Sequence, residues 1–106
     1  MLENFRNDKI YLEKIVEKMC HNPAILFQIE KRGFIEEGFK ADLVLVDLNE
    51  KYTVSKENIL YKCGWSPFEG TEFHSKITHT FVNGFLAFEN GKVSEEKYGE
   101  RLLFDR

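Results

Sequence analysis

The chain has few of the residues that build disulfides, metal sites or membrane spans. Its 106 residues include two cysteines, Cys20 and Cys63, far apart and without CxxC spacing. This usage predicts reduced thiols in a cytosolic protein. No apolar run approaches the roughly 20 residues that cross a bilayer, and the first residues lack the basic start and apolar block of a signal peptide. We therefore expect a cytoplasmic protein with no membrane partner.

An excess of positive charge is also missing. Fifteen basic against 18 acidic residues give a net charge of −3, so a nucleic-acid partner, which needs a basic face, is not expected. The length suits one small domain with a modest core. Ten phenylalanines are many for this length. They indicate either a compact aromatic core or a surface that something outside the chain covers.

The first third of the chain carries a helical pattern. Leu12, Ile15, Val16 and Met19 recur at the spacing of one helix face, and charged residues fill the other sides. Asn22-Pro23 is typical of a helix start, so we expect one helix to stop there and a second to begin. Lys31-Arg32-Gly33 is expected to end the second helix, with Gly33 in the left-handed cap conformation.

From residue 34 onward the pattern predicts strands. The run 43–46 is apolar on both faces, which is typical of a strand covered on both sides. Tyr52-Thr53-Val54 is a second candidate, 55–61 could hold one helical turn, and 62–72 is predicted to be a loop. Asn83-Gly84 predicts a type I′ hairpin between 76–82 and 85–88. The predicted fold class is α+β, with N-terminal helices followed by a small antiparallel, β-sandwich-like part.

The histidines do not form a recognisable metal motif. His74 and His79 are five residues apart on extended chain, so their side chains would point to opposite faces. His21 is distant from both in sequence. No HxH, HExxH or Cys/His cluster occurs. We expect all three to be surface or hydrogen-bonded histidines, and we predict no metal ligand in this chain.

Nucleophilic and acid–base sites are equally weak. Cys20 and His21 are adjacent on a helix, about 100° apart, so Cys20 is expected to be a small core residue. Asp42 and Asp47 are also five apart and flank the apolar strand. Asp42 is expected to bind backbone amides at the strand entry, and Asp47 to cap the following turn. We predict no catalytic and no cofactor-binding residue.

The loop Trp65-Ser-Pro-Phe-Glu-Gly70 allows two interpretations. Exposed tryptophan and phenylalanine on a loop can mark a ligand site. The more common arrangement is a loop anchored over a core by its aromatic side chains. The glycines elsewhere do not form a phosphate-binding pattern.

Several short motifs resemble those of one enzyme superfamily. Asn22-Pro23-Ala24 resembles the start of a short helix near the end of the barrel of cyclic amidohydrolases. The segment Gly33 to Leu45, with Gly38 and Ala41-Asp42-Leu43, is similar to the entry into their small β domain. Three later pieces follow in the same order: 52–54, 66–70 and 78–84. Within the superfamily the whole pattern, with the loop Trp65-Ser-Pro-Phe-Glu-Gly70 and the ending Leu102-Leu-Phe104, most resembles dihydroorotases, although allantoinases and hydantoinases share the Ala-Asp-Leu-Val element.

The resemblance implies an organisation and a parent activity. Residues 1–32 would be a helical segment from the end of the amidohydrolase barrel, and 33–106 the C-terminal small β domain. The parent reaction would be the reversible cyclisation of N-carbamoyl-aspartate to dihydroorotate in pyrimidine biosynthesis, with zinc held by the parent enzyme and none by this chain. The partner would be the N-terminal barrel, whose roughly 250 residues carry the metal ligands.

A physical expectation accompanies this hypothesis. Without a barrel, the apolar faces of helix 12–20 and of strand 43–46 should be exposed, and dimerisation or strand exchange would cover them, giving a homo-oligomer. The other hypotheses are the tail of an allantoinase or hydantoinase, or a stand-alone β interaction module. A self-sufficient enzyme is disfavoured because no cluster of ligands or nucleophiles is apparent.

Overall fold

The computed structural model describes residues 1–60, 62–97 and 99–105, so Tyr61 in the predicted 55–61 turn, Tyr98 and Arg106 lie outside the described residues. The N-terminal part is helical: α1 spans Leu2–Arg6, α2 Leu12–Val16 and α3 Asn22–Leu26, with a π-helical turn at Glu17–His21 between α2 and α3. Strands begin at residue 43. The α+β class is therefore confirmed, whereas the sandwich-like packing and the barrel origin of the helices stay predictions.

The predicted helix break at Asn22-Pro23 is wrong. His21 and Asn22 both have right-handed helical dihedrals, so the helix continues from α2 through to α3. The Asn22 N–H donates to the Glu17 carbonyl, five residues back, which is the bond of a π turn. A proline inside a helix removes one bond and crowds the preceding turn. The wider π turn just before Pro23 accommodates both effects.

The predicted helix end at Gly33 is also wrong. The helix ends at Leu26, and Gln28 takes the left-handed conformation with φ 56°. The chain then pairs with its own C-terminal segment. Glu30 N donates to Leu103 O at 2.9 Å, and Asp105 N donates to Gln28 O at 2.9 Å. The apolar residues 102–104 are thus attached beside the helix exit, and this pairing competes with further helix.

The strands form a four-stranded antiparallel sheet and a two-stranded ribbon. The larger sheet has the order β1-β4-β5-β6, and the ribbon pairs β2 with β3. Their bounds are β1 Leu43–Asp47, β2 Tyr52–Thr53, β3 Glu72–Phe73, β4 Lys76–Val82, β5 Phe85–Glu89 and β6 Lys92–Val93. β1 therefore lies at one edge of the larger sheet. The pairing of Glu72 in β3 was not predicted, because the segment 62–72 was assigned to a loop.

The Asn-Gly hairpin is confirmed. Asn83 and Gly84 both have positive φ, 51° and 84°, as a type I′ turn requires. The second pair, Asn90 and Gly91, repeats this geometry between β5 and β6, with φ 47° and 89°. The turns set the register next to each hairpin, and a bulge between Thr80 and Phe81 shifts the β4–β5 pairing farther from the turn.

A short 3₁₀ helix at Lys56–Asn58 occupies the predicted helical turn. The Asn58 side-chain oxygen accepts the backbone N–H of Ser55 at 2.9 Å. Asparagine thus serves in the position where glutamate or glutamine is usual in a capping box. The helical turn predicted within 55–61 is therefore confirmed for the described residues.

Little of the described chain is fully buried. Among the described residues, Ala24 is the one hydrophobic side chain in a solvent-excluded core. Met19 on the helix is 58% exposed, and Leu45 on β1 is 50% exposed. The exposed apolar faces expected on helix 12–20 and on strand 43–46 are therefore present. No helix among the described residues has the length and apolar character needed to cross a bilayer.

Candidate functional site

The helix and the start of the β part meet at Gly33. Its backbone has φ 88°, and a Cβ placed there would stand 2.5 Å from the Ala24 Cβ and 2.7 Å from the Cys20 carbonyl oxygen. A glycine is needed for both reasons, since the left-handed conformation and the close approach each disfavour a side chain. This contact, and not a helix cap, explains the glycine.

Asp42 joins the helix exit to the hairpin. Its carboxylate pairs with the Arg32 guanidinium and accepts the backbone N–H of Asn83 at 2.9 Å. Beside it, Gly84 N donates to Ala41 O at 3.0 Å. The predicted role of Asp42 as an acceptor for backbone amides is confirmed, and the ion pair with Arg32 is an addition that the sequence pattern did not reveal.

Asp47, at the other end of β1, fulfils its predicted role. Its side-chain oxygen accepts the backbone N–H of Asn49 at 2.9 Å, which closes the turn after the strand. Asp42 and Asp47 therefore serve two separate structural purposes.

Each histidine has its own neighbours. His21 stacks on Phe34 with ring centroids 4.2 Å apart. His79 on β4 contacts the Thr78 hydroxyl at 2.9 Å and lies 3.7 Å from Glu89. The predicted interpretation as surface or hydrogen-bonded histidines agrees with these contacts.

His74 lies at the bend between β3 and β4 and contacts α1. Its backbone N–H donates to a Glu3 carboxylate oxygen at 2.9 Å, and its Nδ1 lies 3.0 Å from the other oxygen. The backbone N–H of His74, then its imidazole, hold the pKa of Glu3 below its ordinary value of 4.5. No local pattern indicates this contact, because 71 residues separate the partners.

Zinc, which the resemblance implies for the parent enzyme, does not fit the described residues. Within residues 1–60, 62–97 and 99–105, no three histidine, cysteine or carboxylate side chains are grouped to hold a metal ion. The His74 imidazole lies between two carboxylates, with Nδ1 3.0 Å from Glu3 and Nε2 3.8 Å from Glu72. No chemical step through a metal is derived from this chain, and the expectation that it supplies no ligand stays a prediction.

A shallow groove of about 290 Å³ lies beside the helix exit. It is mostly apolar, and its charged members are Arg32 and Asp105. Because Arg32 is already paired with Asp42, the groove offers a surface for packing and lacks a ready arrangement for acid–base chemistry.

One prediction about side-chain burial is wrong, and one of the two interpretations of the Trp65 loop is disfavoured. Cys20 is exposed and is not a core residue; its backbone carbonyl is the part that approaches Gly33. Trp65 is 60% exposed and does not anchor its loop over a core within the described chain. Phe68 contacts Phe73 edge-on at 6.0 Å, although it too is more than half exposed.

Comparison with known proteins gives one consistent family. Residues 1–87 match the Amidohydrolase family. The chain is 35% identical over 103 residues to a dihydroorotase from Pyrococcus furiosus. The alignment covers 97% of this chain and 25% of that protein. It is 31% identical over 98 residues to an allantoinase from Desulfitobacterium hafniense, covering 92% of this chain and 22% of that protein.

A solved structure agrees with the sequence comparisons. The L-hydantoinase (dihydropyrimidinase) from Arthrobacter aurescens matches with a TM-score of 0.80 and 34% identity, over 91% of this chain and 22% of that chain. The chain thus spans about a quarter of the length of the curated dihydroorotase it matches. The family match extends over most of the chain, and the chain shares its fold with a hydantoinase. The chain therefore belongs to the amidohydrolase family.

Proposed function

We propose that this chain is the C-terminal, non-catalytic portion of a dihydroorotase-like cyclic amidohydrolase, in which it packs against the catalytic barrel. The parent reaction would be the reversible cyclisation of N-carbamoyl-aspartate to dihydroorotate in pyrimidine biosynthesis, in the cytoplasm. The three dihydroorotases that match 97% of the chain support this member of the family.

One observation carries the proposal: the apolar faces of α2, the π turn and β1 have no cover within the described chain. Val16 and Met19 on the helix, and Val44 and Leu45 on β1, are all exposed. Exposed apolar surface of this extent is unfavourable in an isolated domain and is typical of a surface that packs against another body. A catalytic barrel would cover the helix, and an added strand would cover β1.

In the parent enzyme zinc would supply the Lewis-acid chemistry of ring opening and closure. The residues of this chain would contribute support. The Gly33–Ala24 contact and the Arg32–Asp42 pair hold the helix against the entry into the sheet. They would fix how the β part is presented to the barrel.

Two alternatives have specific support. The matches to an allantoinase and to an L-hydantoinase favour another cyclic amide as the parent substrate. The exposed Trp65 favours an interaction module that docks a partner through its loop. Homo-oligomerisation through the exposed faces is compatible with either one.

An assay of the 106-residue chain alone tests the non-catalytic role. With zinc and dihydroorotate, carbamoyl-aspartate, allantoin or hydantoin, we expect no turnover above the metal-only control. Calorimetry measures zinc binding to the chain separately. Circular dichroism shows whether the chain is folded, so that inactivity of a folded chain is distinguished from inactivity of a misfolded one. Turnover of any of these compounds by the chain would overturn the proposal.

A further inference from the structure

A charged contact links α1 to the bend between β3 and β4. Glu3, in the first turn of α1, reaches His74 with both carboxylate oxygens. Leu2 and Phe5 on the same helix are only half-buried. A short helix of five residues has little intrinsic stability, so this contact must contribute much of what holds it in place.

We propose that Glu3 and His74 form an acid-released latch that holds α1 against the bend between β3 and β4. The latch has a neutral and a charged element. The backbone N–H of His74 donates to Glu3 at 2.9 Å whatever the state of the imidazole. The imidazole Nδ1, 3.0 Å from the second oxygen, adds a donor and, when protonated, a positive charge.

Other charged groups lie on the segments next to the latch. Glu72 on β3 lies 3.8 Å from the second ring nitrogen of His74. A neutral imidazole has one N–H, so it cannot donate to both carboxylates, whereas the protonated ring can. The further charges come from three segments: Arg6 on α1, Lys51 before β2, 3.8 Å from Glu72, and Lys76 on β4, paired with Glu50 at 3.7 Å.

The direction of the pH response follows from the lowered pKa of Glu3. A carboxylate whose pKa is lowered by folding stabilises the contact fully above its ordinary value of 4.5. That stabilisation is lost as the pH falls through the lowered value. The backbone N–H donor of His74 does not titrate, so the latch opens toward acid, where Glu3 is protonated.

Nuclear magnetic resonance of the full chain tests the latch. The amide proton of His74 should shift as Glu3 titrates, with a midpoint below 4.5, because it is bonded directly to the carboxylate. In the same step the amides of Phe5 and Asn7, which bond within α1, should lose exchange protection. Amides of the β4–β5 hairpin serve as the internal reference and should keep theirs.

Substitutions separate the latch from general acid unfolding. Glu3→Gln should abolish the His74 shift and the acid step of α1, while the matched exposed-glutamate variant Glu13→Gln should keep both. His74→Gln retains the backbone donor and should move the Glu3 midpoint toward 4.5. A His74 amide proton whose chemical shift does not change with pH would contradict the latch. An acid step that persists in Glu3→Gln, or a hairpin that opens together with α1 in every variant, also contradicts it.

Discussion

Gly33 lies so close to Ala24 that a methyl group on its α-carbon would stand 2.5 Å from the Ala24 Cβ. Ala24 is the one buried hydrophobic residue in the described part of the chain. The two residues come from the helix and from the segment leading into the sheet. Their contact therefore defines the angle at which the helical and β parts meet.

Replacing Gly33 with alanine should destabilise the fold more than the same change at Gly38. Both glycines have left-handed φ, 88° and 82°, so each variant incurs a conformational cost of about 1–2 kcal/mol. A Cβ at Gly38 meets nothing within 4 Å, whereas one at Gly33 meets backbone and Ala24. Overpacking should add about 1–3 kcal/mol. Urea unfolding measures both, and equal losses would disprove the close contact.

Removal of the Asp42 carboxylate should cost more than removal of the Asp47 carboxylate. Asp42→Ala leaves the Arg32 guanidinium, whose side chain is 12% exposed, without its anion and leaves the Asn83 N–H without its acceptor. We expect a loss of about 1–3 kcal/mol in the free energy of unfolding. Asp47→Ala loses one turn bond, worth about 0.5–1.5 kcal/mol.

Asp42→Asn refines this test, because asparagine keeps an oxygen for the Asn83 N–H but has no charge for Arg32. Its loss should lie between those of Asp42→Ala and Asp47→Ala in the same urea titration. If Asp42→Asn matched the unchanged chain, the ion pair would have no part in stability.

Lys14 should control the titration of Glu17. The side-chain hydrogen bond from Lys14, at 2.7 Å, lowers the pKa of Glu17 below 4.5. The pair therefore stabilises the helix above that value and ceases to do so as the pH falls through the lowered pKa. In Lys14→Gln the pKa of Glu17 should return toward 4.5, as followed by carboxyl carbon resonances. An unchanged titration would show that the pair does not form in solution.

A charge on the exposed edge strand should reduce self-association. Val44→Lys places a cation on the apolar face of β1, which disfavours edge-to-edge pairing. The control is Ile35→Lys, since Ile35 is 88% exposed but lies outside the sheet. Light scattering should show a smaller species for Val44→Lys and no change for Ile35→Lys. A stable monomer that binds no apolar dye, already without substitution, would contradict the docking role of this face.

Local signals in the sequence predicted the β part well. The β4–β5 hairpin followed from Asn83-Gly84, because few sequences satisfy two consecutive positive φ angles. The roles of Asp42 and Asp47 followed from their positions at the strand ends. These features depend on neighbouring residues, and a single sequence therefore contains them.

Most of the errors lie where distant parts of the chain decide the structure. The helix ends before Gly33 because residues 28–30 pair with 103–105, and no helical pattern reports such a partner. The Glu3–His74 contact likewise joins residues that are 71 positions apart. The π turn is a local response to Pro23, and an Asn-Pro pair interpreted as a helix start does not indicate it. The exposure of Trp65 disfavours the anchored-loop interpretation, and no local pattern shows whether the cover of an aromatic side chain lies inside or outside the chain.

The most direct test of the central claim is the dihydroorotase activity of a chimera. The quarter of the Pyrococcus furiosus dihydroorotase that aligns with this chain would be replaced by the chain itself, and turnover of dihydroorotate measured with zinc. We predict an active chimera, and inactivation when Val16→Glu and Met19→Glu charge the helix face that would meet the barrel. A folded, zinc-loaded chimera without turnover, or one that tolerates both charges, would contradict the proposal that this chain supports a catalytic barrel.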